Sequence, residues 1–82
     1  MVTLTNITKS NNIIECDYYP EYGENPGHIA FDIDKGIVEL KYADFEYGIL
    51  FSIDTYVHFA AKRLSELFHQ KTIPEKDIVM WY

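Results

Sequence analysis

The 82-residue chain predicts one α+β domain, an antiparallel-rich ββββαβ sheet with a single helix packed on one face. Four short segments alternate apolar and polar residues, in two pairs separated by turn residues. One later segment changes to a helical period. A last apolar run follows Pro74.

Residues 2–8 and 13–19 read as strands around Lys9-Ser10-Asn11-Asn12. Setting Leu4 against Cys16 and Val2 against Tyr18 places apolar residues opposite each other. Thr3, Thr5 and Ile7 then face Asp17, Glu15 and Ile13. That register leaves Lys9-Ser10-Asn11 as the loop, with Asn11 in the left-handed conformation that asparagine tolerates.

Residues 20–27 (PEYGENPG) form a loop, because Pro20, Gly23, Pro26 and Gly27 break any regular pattern. Residues 28–34 then alternate, with Ile29, Phe31 and Ile33 on one face and His28, Ala30, Asp32 and Asp34 on the other. Residues 37–42 set Val38, Leu40 and Tyr42 against Ile37, Glu39 and Lys41. Two registers compete for this hairpin. A two-residue loop at Lys35-Gly36 pairs Ile33 with Val38, Phe31 with Leu40 and Ile29 with Tyr42. A three-residue loop with a bulge at Gly36 sets Phe31 against Glu39, and turn sterics favour it because Lys35 resists positive φ. Burial favours the first, since a one-residue slip sends a hydrophobic set to solvent. The two-residue loop is therefore expected, with Asp32 opposite Glu39.

From residue 54 to 70, Val57, Ala60, Ala61, Leu64, Leu67 and Phe68 form an amphipathic helical stripe. Ser52 or Asp54 suits the N-cap, and His69 and Lys71 suit the negative end. Residues 77–82 (DIVMWY) read as the last strand. Strands one to four alternate in direction, a helix returning from strand four leaves strand five parallel to it, and the crossover is expected to be right-handed. The simplest meander has order 4-3-2-1-5, with strand five antiparallel beside strand one.

The charge is unevenly placed. Between Glu15 and Asp54, ten carboxylates stand against Lys35 and Lys41, so this stretch carries −8 of a chain whose total is −6. Glu15, Asp17, Asp32, Asp34 and Glu39 occupy alternate strand positions and are expected to share one exposed sheet face, with Ile29, Phe31, Val38 and Leu40 buried. A surface of one sign attracts basic partners, and its low pI disfavours nucleic acid. No apolar run approaches the roughly 20 residues of a membrane span. A lone Cys16 and the absence of a charged, then apolar, leader point to the cytoplasm.

No catalytic motif, metal-ligand spacing or phosphate loop is present in the sequence, and no cofactor is expected. His58 and His69 are roughly 16 Å apart along a helix, too far to share one metal ion. His28 reads as a strand-edge side chain, and Cys16 as a small buried hydrophobe. Tyr19 and Tyr22 lie in a Tyr-Pro-Gly loop suited to recognition. Phe59 lies nearly opposite the helical core stripe, and Trp81 sits on a last strand with two apolar faces. The contact candidates are therefore Glu15, Asp17, Asp32, Asp34, Glu39, Tyr19, Tyr22, Phe59 and Trp81. The expected function is protein interaction without catalysis, through the open sheet face and the tyrosine loop. A sharper version is an inhibitor or immunity-type protein that neutralises a basic enzyme. Alternatives are a small-ligand binder or a motif-less enzyme, and a homodimer through the C-terminal strand is a further expectation.

Overall fold

A computed structural model describes residues 1–20, 25–43 and 54–80, with the side chains of residues 54 and 55 left out. The elements are β1 (Val2–Ser10), β2 (Ile13–Pro20), β3 (Gly27–Asp32), β4 (Gly36–Lys41), α1 (Asp54–Phe68) and β5 (Asp77–Val79). They form a five-stranded sheet of order β4-β3-β2-β1-β5, with every neighbouring pair antiparallel. This is the meander expected from the sequence, with α1 packed on one face. The expected caps Ser52 and Asp54 lie outside the described side chains.

The core is the α1-facing side of the sheet. Val2, Leu4, Ile7, Ile14, Cys16, Tyr18 and Ile29 meet Val57, Ala60, Leu64 and Leu67. Phe68 was expected in this core but is only partly buried. The Lys9 ammonium lies 4.0 Å from the centroid of its ring. The same ammonium donates to the Phe68 carbonyl oxygen at 3.0 Å. A cation from β1 thus meets the negative end of α1, the role expected of His69 and Lys71, which lie beyond the helix.

Both hairpin registers differ from expectation, for one shared reason. In the first, Asn11 has φ 55° as anticipated, but the loop is only Asn11-Asn12, with Ser10 opposite Ile13. Carried to the far end, that register would set Leu4 opposite Tyr19 and turn it away from the core. A bulge between Thr5 and Thr8 takes up one residue, and Asn6 within it has φ 53°. Leu4 therefore pairs with Tyr18 and Val2 with Pro20, and Ile7 is buried in the core instead of facing out.

In the second hairpin the loop is Ile33-Asp34-Lys35, with Asp32 opposite Gly36 at φ 91°. Asp32 Oδ1 accepts the backbone N–H of Asp34 at 2.8 Å and of Lys35 at 3.1 Å, which fixes this longer loop. A second bulge at Val38 restores the phase, so that Ile29 pairs with Leu40 and Ala30 with Glu39. The expected pairs Ile33–Val38, Phe31–Leu40 and Ile29–Tyr42 do not form. Val38 is 49% exposed instead of buried, and Phe31 and Leu40 are partly buried.

Gly27 is required by its neighbours. It pairs with Tyr18, and a Cβ at position 27 would run into the Tyr18 ring and the Lys41 carbonyl oxygen. The fully buried Tyr18 accepts the Ala43 N–H at its hydroxyl, 3.1 Å away.

Candidate functional site

The sheet face opposite α1 carries the candidate site. Partners in a ladder share a face, so the registers place each side chain. One row runs Thr5, Asp17, His28, Lys41 across β1 to β4. The next runs Thr8, Glu15, Ala30, Glu39. The strand pattern of β2 puts Tyr19 on the same face, opposite Thr3.

At the centre is a network that crosses three strands. His28 Nδ1 lies 2.9 Å from Asp17 Oδ1, and His28 Nε2 lies 3.5 Å from Glu15 Oε1. Asn6 Nδ2 donates to Asp17 Oδ2 at 2.9 Å. The bulge is what brings Asn6 here, so the backbone device that sets the register also supplies a ligand to Asp17. The hydrogen bonds from His28 and Asn6 hold the Asp17 carboxyl below its usual value of 3.8, with smaller help from the charges of His28 and Lys41 against the cost of burial. The imidazole ring stands between two carboxylates. The contact with Asp17 is a hydrogen bond, and Glu15 lies within ion-pair distance of the ring. Glu15 and Glu39 flank Ala30 in the next row, two strand spacings or about 10 Å apart.

Among the nine expected contact residues, Glu15, Asp17, Glu39 and Tyr19 lie together on this face. Asp32 is on the face but is only 9% exposed, because its carboxylate caps the β3–β4 loop. Asp34 is in that loop and not on a strand, and its Oδ2 accepts Asn12 Nδ2 at 3.1 Å. The expected Asp32–Glu39 pair does not exist, since Glu39 faces Ala30. Phe59 is partly buried against the core and lines a groove of about 260 Å³ with Lys62, Arg63, Glu66, Val79 and Met80. Tyr22 and Trp81 lie outside the described residues.

Three residues of the network were not among the candidates. His28 is on β3, between β2 and β4, and not at a sheet edge. Lys41 and Asn6 join it only through the observed registers. The alternation of β3 already put His28 beside the acids, but only the β2–β3 register sets it opposite Asp17.

Other chemistry is limited. Burial pushes the Cys16 thiol up to about 12, aided by the charges of Asp17 and Glu15, so it stays protonated near neutrality. Among the described residues, no group of three or more His, Cys, Asp or Glu side chains is arranged to hold a metal ion. No helix among them is long and apolar enough to cross a membrane. Comparison of the chain with protein-family models, curated proteins and solved structures gave no match.

Proposed function

We propose that the protein is a binding module, without catalysis of its own, that docks a basic protein surface on its open sheet face. The observation that carries this reading is the placement of Glu15, Asp17 and Glu39 on the side of the sheet away from α1. Asp17 is held there by His28 and Asn6, so part of its ordering cost is met before any partner arrives. Lys41 and His28 share the row of Asp17, whereas the next row, Thr8, Glu15, Ala30 and Glu39, carries two carboxylates and no Lys or Arg. Tyr19 adds aromatic contact area at the β1 side of the patch. Asp32 is not part of the contact set, because it is committed to its loop.

An inhibitor or immunity-type protein facing a basic enzyme is the sharpest form of this function. A complex of that kind associates quickly at low salt and slowly at high salt, because charge complementarity acts mainly on the encounter. The test is capture of binding proteins from native cytosol at low and at high ionic strength. Basic proteins retained at low salt and lost at high salt support the reading. Retention indifferent to salt, or retention of acidic proteins only, refutes it.

A further inference from the structure

We infer that His28 makes the open face proton-sensitive: a proton on its Nε2 and a basic side chain of a partner compete for Glu15, so basic surfaces bind more tightly as pH rises. The switch rests on the reading of this face as the contact surface and adds its regulation. Histidine is the side chain whose charge ordinarily changes between about pH 5 and 8. His28 is on an inner strand, with a side chain 29% exposed, beside Glu15 at 45% and Asp17 at 31%. Solvent protons and a partner therefore both reach it.

The contacts of the ring decide which nitrogen gains the proton. An ionised carboxylate only accepts hydrogen bonds. Nδ1 lies 2.9 Å from Asp17 Oδ1, so the neutral ring carries its hydrogen on Nδ1 and donates it there. The other Asp17 oxygen accepts from Asn6, so both oxygens of Asp17 have a partner within the chain. Asp17 is held below its usual value of 3.8 and stays ionised near neutrality. Nε2 of the neutral ring then bears a lone pair and lies 3.5 Å from Glu15 Oε1. A proton taken up at Nε2 places a cation within ion-pair distance of Glu15. A Lys or Arg of a partner seeks the same carboxylate.

The other described groups around His28 do not offset this change. From β2 it meets Asp17 and Glu15, and from β4 its ladder partner Lys41 and, one row on, Glu39. β1 contributes Asn6, Thr5 and Thr8, which carry no charge. Tyr19 is one row beyond Asp17, and Asp32 is committed to its loop. Across the two central rows, Glu15, Asp17 and Glu39 against Lys41 give −2, and a proton on His28 leaves −1. One proton thus removes half of the local charge that draws a basic partner. By linkage, a bound cation disfavours that proton by the same factor.

The probe is a fluorescently labelled oligoarginine peptide, its affinity read by anisotropy at low salt from about pH 5.5 to about pH 8, across the range in which histidine titrates. Backbone amide NMR shifts locate the peptide on the protein, and the His28 ring resonances report its proton with and without peptide. Wild-type affinity is expected to rise at least about fivefold across this range, the low end of ordinary coupling between sites. Saturating peptide is expected to move the His28 titration down in pH by about 0.7, which is the same factor. His28→Gln removes the rise, whereas His58→Gln/His69→Gln, which removes both other histidines, keeps it. Circular dichroism verifies folding, and if His28→Gln is unfolded the ring titration of the wild type decides alone. A peptide on β2 and β4 with the same pH dependence in His28→Gln, or one that does not move the His28 titration, overturns the switch and leaves the contact surface standing. A peptide that binds elsewhere, or at neither limit of pH, overturns the contact surface and the switch with it.

Discussion

His28 and Asp17 are direct ladder partners on β3 and β2, and their side chains meet at 2.9 Å on the open face. Asp17 is stabilised as a carboxylate, chiefly by this contact and then by Asn6. Its folded value lies below 3.8, so its contribution to stability is complete above that pH and is lost as pH falls through the folded value. Asp17→Asn should therefore lower stability at neutral pH and flatten the acid limb of the stability curve below about pH 4. The side chain is 31% exposed, so the shape of the limb is the readout and not its size. Urea midpoints measured from pH 7 downwards give the comparison, and parallel acid limbs would count against the network.

Tyr18 and Gly27 form the second decisive pair. Gly27→Ala forces a methyl group against both the Tyr18 ring and the Lys41 backbone, and overpacking of this kind costs about 1–3 kcal/mol. Gly36→Ala meets open space and suffers only from its positive φ, at about 1–2 kcal/mol. Denaturant midpoints should therefore fall further for Gly27→Ala. The reverse order would show that the close approach of β3 to Tyr18 is not required.

Asn6 can be tested through the bulge it occupies. Asn6→Gly keeps the left-handed backbone and loses the hydrogen bond to Asp17, a loss of about 1 kcal/mol. Asn6→Val loses the same bond and adds strain of about 1–2 kcal/mol. Thermal unfolding should rank wild type above Asn6→Gly and Asn6→Gly above Asn6→Val.

The helix phase has the simplest test. Leu64 is fully buried among core residues, so Leu64→Ala should cost about 2–5 kcal/mol. An unchanged thermal midpoint would contradict the packing of α1 on the sheet.

Element type, strand order and the buried face were legible because periodicity and loop length report them directly. Val57, Ala60 and Leu64 are in the core as their spacing implies, and so are Leu4, Ile14, Cys16 and Tyr18. The registers were not legible, because each hairpin has two constraints that disagree by one residue. The turn sets the near end and burial sets the far end. A bulge absorbs the difference, at Asn6 in one hairpin and at Val38 in the other. The first left a trace in the sequence: Val2 and Leu4 are two apart, but the next buried residue, Ile7, is three further on, with Asn6 between. The second left a trace in Asp32, whose side chain was counted with the acidic face although an aspartate before a Gly-containing turn is a ready backbone cap. The acids of β2 and β4 could be assigned to one face from alternation alone, but their link through His28 needed the ladder.

The most direct test of the acidic contact surface compares two charge reversals of equal size. Glu15→Lys/Glu39→Lys alters the open face. Glu66→Lys/Glu75→Lys makes the same change in net charge at exposed positions in α1 and in the segment before β5. Each protein is immobilised, and retention of basic proteins from native cytosol at low salt is measured against the wild type. Loss of retention by the face variant alone is the predicted result. Equal loss in both variants, or none in either, would contradict a contact surface built on Glu15, Asp17 and Glu39.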